Sequence, residues 1–235
     1  MPKKISGINS SITKEDWAYL KVRDWIIRGE LRPGENLTQD TLALRLGISR
    51  LPLRAALARL TVEGLVIDRP HKSWQVSTVS LDNVRDIYSG RSALEGNLVK
   101  AATDNFSLLE TKKDEIERLG VIVEEQAAAL QIEDMELSMQ KDWEFHSNIY
   151  EFSNMPQTLA AARIFHSQSN RYLLMYLSDT KRGKSSIRDH RKIMDAIASG
   201  DSVLAQKLTV EHVLSGLIAL SPHLFNERLL RIFTV

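Results

Sequence analysis

The sequence predicts a mostly α protein of two domains. A three-helix head with a small β wing is expected over residues 1–79, and an all-α antiparallel bundle of about six helices over 80–235. Two observations carry this reading. The stretch TQDTLALRLGISRLPLRAALARLTVEGLVID, from Thr38 to Asp68, holds a helix, a tight glycine turn, a second helix and a β-branched exit. From Leu81 onward strand signals vanish and helical periods of apolar residues take over. A chain of 235 residues is long enough for each domain to bury its own core.

In the head, Thr13 followed by Asp16 has the hydroxyl-then-carboxylate spacing of a helix start. Trp17, Leu20, Val22, Ile26 and Ile27 then supply the apolar side of a helix ending near Gly29. Pro33-Gly34 makes a turn, and Thr38 caps a second helix that Gly47 stops. Ser49 is expected to cap the third, in whose first turn Pro52 loses no hydrogen bond. That helix carries Leu53, Ala56, Leu57 and Leu60 on its inner side. Gly64 ends it, and Leu65–Asp68 and Trp74–Val79 read as two strands around a tip at Arg69-Pro70-His71-Lys72. The sum is a winged helix-turn-helix.

Helical patterns in the second domain cover approximately 82–103, 108–131, 134–152, 156–177, 185–199 and 201–220. Breaks are expected at Asp104-Asn105, Ser153-Asn154, Asp179 to Gly183 and Gly200-Asp201.

Charge is unevenly spread. Residues 1–78 hold 13 Lys/Arg against 8 Asp/Glu, and the remainder 18 against 22, within a chain of net charge +1. A basic front and an acidic back fit a protein whose front alone meets a polyanion. The absence of cysteine excludes disulfides and thiolate metal sites. No uninterrupted apolar run approaches the roughly 20 residues that cross a bilayer, and the opening MPKKISGINSS lacks a signal peptide's apolar core. A cytoplasmic protein with no membrane partner is expected.

A helix with arginines at its start is suited to the major groove of double-stranded DNA. Arg50 and Arg54 stand four apart on one face of the third helix, placing guanidiniums where they meet guanine edges or phosphates. Arg45 and Thr38 are expected at the DNA backbone, Ser49 at a phosphate, and the tip residues His71 and Lys72 in the neighbouring minor groove. In the second domain, Asp142 and His146 share a helix face four residues apart, and His190 and His212 follow on later helices. Three imidazoles and a carboxylate suit a divalent first-row cation. His166 and His223 are read as structural or surface residues.

The segments PGENL, LALRLGISRLPLRAALARL and EGLV resemble the DNA-binding signature of the GntR family of bacterial regulators. Arg91-Ser92-Ala93-Leu94-Glu95 resembles the opening of the helical ligand-binding (FCD) domain in the FadR-like subgroup. Three positions depart from the family pattern. Leu51 stands where threonine is common, Ala55 where glutamate is, and Ser73 replaces the wing glycine. The first two bear on base preference, and the third on how closely the wing backbone follows the minor groove.

The resemblance implies a metal set of Asp142, His146, His190 and His212, the third opening a segment H-x-x-I-x-x-A-I-x-x-G-D. Zinc is the default ion, with nickel, iron and manganese as alternatives. It also implies a small organic-acid effector, such as a sugar acid or hydroxy acid, in the open coordination positions. Arg91 and Arg171 are candidates for the effector's remaining charge, Arg91 being equally placed for an ion pair with Glu95. The expected protein is a homodimeric repressor reading an inverted-repeat operator. The rival is a metal-dependent enzyme acting on a small carboxylate, with an appended DNA-binding head. Against it, His146 is followed by Ser147-Asn148 rather than by the glutamate of an H-E-x-x-H helix.

Overall fold

The computed structural model describes residues 12–69, 74–78, 81–176 and 180–224. The chain divides into two compact units, Met1–Val79 and Ser80–Val235.

The first unit is built from α1 (Lys14–Ile27), β1 (Asn36–Leu37), α2 (Gln39–Leu46), α3 (Arg50–Val62), β2 (Val66–Ile67) and β3 (Trp74–Val76). Thr13 opens α1, its hydroxyl accepting the Asp16 amide at 3.0 Å. The helix buries Ala18, Val22, Ile26 and Ile27, whereas Leu20 is half exposed and lies off that stripe. Gly47 ends α2 in the left-handed region at φ 65°, a conformation a side chain would strain. From α3, Leu53, Ala56, Leu57 and Leu60 are fully buried against α1 and α2. Each such leucine contributes about 1.5–3 kcal/mol of apolar burial.

Two expectations are corrected in this unit. The wing is a three-stranded antiparallel sheet in the order β1-β3-β2, with Leu37 opposite Trp74 and Val66 opposite Val76. A two-residue strand such as β1 has no alternation to read. Ser49 occupies the position before α3 but makes no capping bond through its side chain. Three residues on, Pro52 has no N–H, which removes one of the two amides from which a capping oxygen can accept.

The second unit consists of α4 (Leu81–Phe106), α5 (Lys112–Gln131), α6 (Met135–Glu151), α7 (Pro156–Tyr176), α8 (Thr180–Ser199) and α9 (Ser202–Leu224). α4 packs on α7 and α9, and α5 on α6 and α8. One expected break, and residues 180–183 of a second whose Asp179 lies outside the described residues, are helical instead. α4 continues through Asp104-Asn105 because Phe106 is buried edge-on against Phe152, and Asn105 Nδ2 donates to the Phe152 carbonyl at 2.7 Å. Gly183 lies inside α8, where a Cβ would fall 2.7 Å from Leu130 Cδ1. It is a close helix contact rather than a stop. The stretch Ser202–Leu220 of α9 has a mean hydropathy of 1.3, enough by length and composition for a membrane span, though Lys207 and Glu211 interrupt it. In this fold α9 is a core helix, burying Ala205, Thr209, His212, Val213 and Leu220.

Candidate metal centre and DNA-facing helix

Asp142 and His146 from α6, His190 from α8 and His212 from α9 converge inside the bundle. One ligand atom from each lies within 4.8 Å of every other. The imidazoles are almost completely buried, at 1, 0 and 3 % exposure, and Asp142 keeps 22 %. His146 Nε2 and His190 Nε2 face each other at 3.1 Å.

Outer hydrogen bonds decide which nitrogens point inward. Gln126 of α5 donates through Nε2 to Asp142 Oδ1 at 3.2 Å, leaving Oε1 to accept from His190 Nδ1 at 2.8 Å. His190 therefore presents its lone pair at Nε2. Tyr150 donates to the buried Glu95 carboxylate at 2.9 Å, so its oxygen accepts from His146 Nδ1 at 3.2 Å. His212 Nδ1 lies 3.5 Å from Asp189 Oδ2. Two lone-pair nitrogens 3.1 Å apart repel unless a cation or a shared proton lies between them. Buried, oriented imidazoles beside one carboxylate fit a divalent ion.

Burial pushes the Asp142 carboxyl up, but His190, His146 and His212 with the Ser186 hydrogen bond outweigh it and hold it well below the carboxylate range. Burial and the Glu95 charge both raise the Tyr150 hydroxyl, which stays a neutral donor.

A cavity of about 70 Å³ adjoins the cluster, with Asp142, His212, Arg91, His166 and Asn170 in its wall. Arg91 is 5 % exposed and pairs with Glu95 at 2.7 Å while donating to Ser169 Oγ at 3.0 Å. Burial opposes its charge, and Glu95 more than restores it. Arg91 thus makes the expected ion pair and also lines the cavity. The side chains of Arg171 and His223, like residues His71 and Lys72, lie outside the described residues. His166 is buried, stacked on Trp143 at 4.1 Å, with Nε2 3.0 Å from Asn170 Nδ2. It belongs to the cavity wall and not to the surface.

On the outer face of α3, Arg50, Leu51, Arg54 and Ala58 are exposed. Arg50 pairs with Asp40, while Arg54 has no side-chain partner among the described residues. Ser49 is exposed beside the first amides of α3. Thr38 caps α2 through a 3.3 Å bond from the Thr41 amide. Arg45 lies 3.7 Å over the Trp25 ring and donates to Glu30 at 2.8 Å, so its guanidinium is already engaged within the unit.

Residues 15–76 match the model of the bacterial regulatory proteins of the gntR family, and residues 86–215, more than half of the chain, match the FCD domain. The chain belongs to the GntR family. It is a DNA-binding transcriptional regulator of the group that carries an FCD domain.

This GntR-family regulator is 26 % identical over 214 residues to the HTH-type transcriptional repressor GlaR of Escherichia coli, covering 87 % of this chain and 94 % of that one. It is 29 % identical over 200 residues to an uncharacterized HTH-type transcriptional regulator in an unstable DNA locus of Streptomyces ambofaciens, covering 83 % and 80 %. Among solved structures, Escherichia coli McbR/YncC shares the fold at a TM-score of 0.73 and 22 % identity, over 90 % of this chain and 99 % of that one.

Several residues that shape the centre of this GntR-family regulator escaped the sequence reading: Gln126, Tyr150, Asp189, Ser186 and the cavity residues His166 and Asn170. The available signals were four-residue spacings on one helix face, Tyr150 after His146 and Ser186 before His190.

Proposed function

We propose that the protein is an effector-responsive transcriptional repressor whose helical unit holds a divalent ion, zinc first, at Asp142, His146, His190 and His212. The observation that carries the proposal is the pair of inward Nε2 atoms of His146 and His190, each fixed by a bond at its outer nitrogen. Relatives named as repressors, among them GlaR and a probable D-xylose utilization operon repressor of Paenarthrobacter nicotinovorans, support the direction of control.

A bound divalent ion would supply positive charge and Lewis acidity for an acid's carboxylate. The chain's own residues supply the rest. Gln126 and Tyr150 hold two imidazoles neutral and aimed, and Ser186 orients Asp142 with a 2.7 Å bond. Arg91, and Arg171 from the same helical unit, are proposed to face the effector. Two copies related by a two-fold axis would present two α3 helices to an inverted-repeat operator in the cytoplasm, with His71 and Lys72 reaching the minor groove. Effector binding changes operator affinity only by the difference in its own affinity for the two arrangements.

The test combines elemental analysis of protein purified without chelator with His146→Ala. Loss of metal and of the acid-induced rise in melting temperature, with operator binding kept, is the expected result. Normal metal content in the variant would refute the assignment, and consumption of an acid by metal-loaded protein would favour an enzyme.

A further inference from the structure

On α3, Leu51 is 79 % exposed between the exposed Arg50 and Arg54, a large apolar side chain beside two cations. In the major groove thymine alone offers a methyl group, which apolar side chains contact. We infer that Leu51 packs on a thymine methyl, so that each half-site carries a thymine adjoining the bases or phosphates met by Arg50 and Arg54.

A duplex selected from a random pool by the full chain provides the probe, with each thymine replaced in turn by deoxyuridine. One position per half-site should lose roughly threefold in affinity for the missing methyl. Leu51→Ala should bind the thymine and deoxyuridine duplexes equally. Tolerance of deoxyuridine at every position, or unchanged sensitivity in Leu51→Ala, overturns the inference. Failure to select any duplex would instead count against operator recognition itself, and this inference with it.

Discussion

Gln126 Oε1 lies 2.8 Å from His190 Nδ1, a contact that fixes which imidazole nitrogen faces the ligand cluster. The same carboxamide reaches Asp142 at 3.2 Å, so one side chain of α5 aligns ligands on α6 and α8. Gln126→Leu should therefore weaken zinc affinity about 10–100-fold with helical content intact. Competition against a chromophoric chelator measures this. An affinity within twofold of the parent would show that the contact does not orient the site.

Glu95 is fully buried and holds Arg91, itself 5 % exposed, at 2.7 Å. Replacing it alone with leucine strands a guanidinium without its counter-charge, at a cost of about 3–5 kcal/mol. The melting temperature should fall by roughly 10 °C. Arg91→Met together with Glu95→Leu should recover most of that loss, and thermal denaturation of the three proteins decides the matter.

The pH dependence of metal binding has a definite sign. The folded Asp142 carboxyl sits well below its ordinary value, so its contribution to stability is complete above about pH 4 and is lost only as pH falls toward that lowered value. Any weakening of zinc binding between about pH 7 and 5 then comes from protonation of imidazoles. Asp142→Asn should lower affinity across that range, as zinc titrations at stepped pH would reveal; an affinity equal to the parent's would show that the carboxylate is not a ligand.

Arg54 projects from α3 with no side-chain partner among the described residues. Arg54→Ala should remove the preference for a selected duplex over a scrambled one, costing about 1–3 kcal/mol of discrimination if it grips a guanine. Gel-shift competition with both duplexes reads this directly, while circular dichroism verifies the fold.

The legible parts of the molecule were those with a short repeat in the chain. Asp142 and His146 declare themselves by a four-residue spacing, and Leu53, Ala56, Leu57 and Leu60 by a helical stripe that is buried as expected. Gln126 does not, because a glutamine following Glu124-Glu125 reads as part of a solvated face. Only the packing of α5 against α8 buries it to 2 % exposure. Gly183 misled for a related reason: its role depends on Leu130, fifty-three positions away in the chain and 2.7 Å from where a Cβ would stand. The missing cap at Ser49 was only half written in the sequence: Pro52 lacks one of the two amides such a bond can use, and Leu51 keeps the other.

The carboxylates of Asp40 and Glu30 already sit where anions would meet Arg50 and Arg45. A nucleic acid backbone arriving there exchanges one internal counter-charge for another and releases fewer condensed ions than the number of arginines suggests. Association should consequently be less sensitive to added potassium chloride than a head of this basicity would otherwise be.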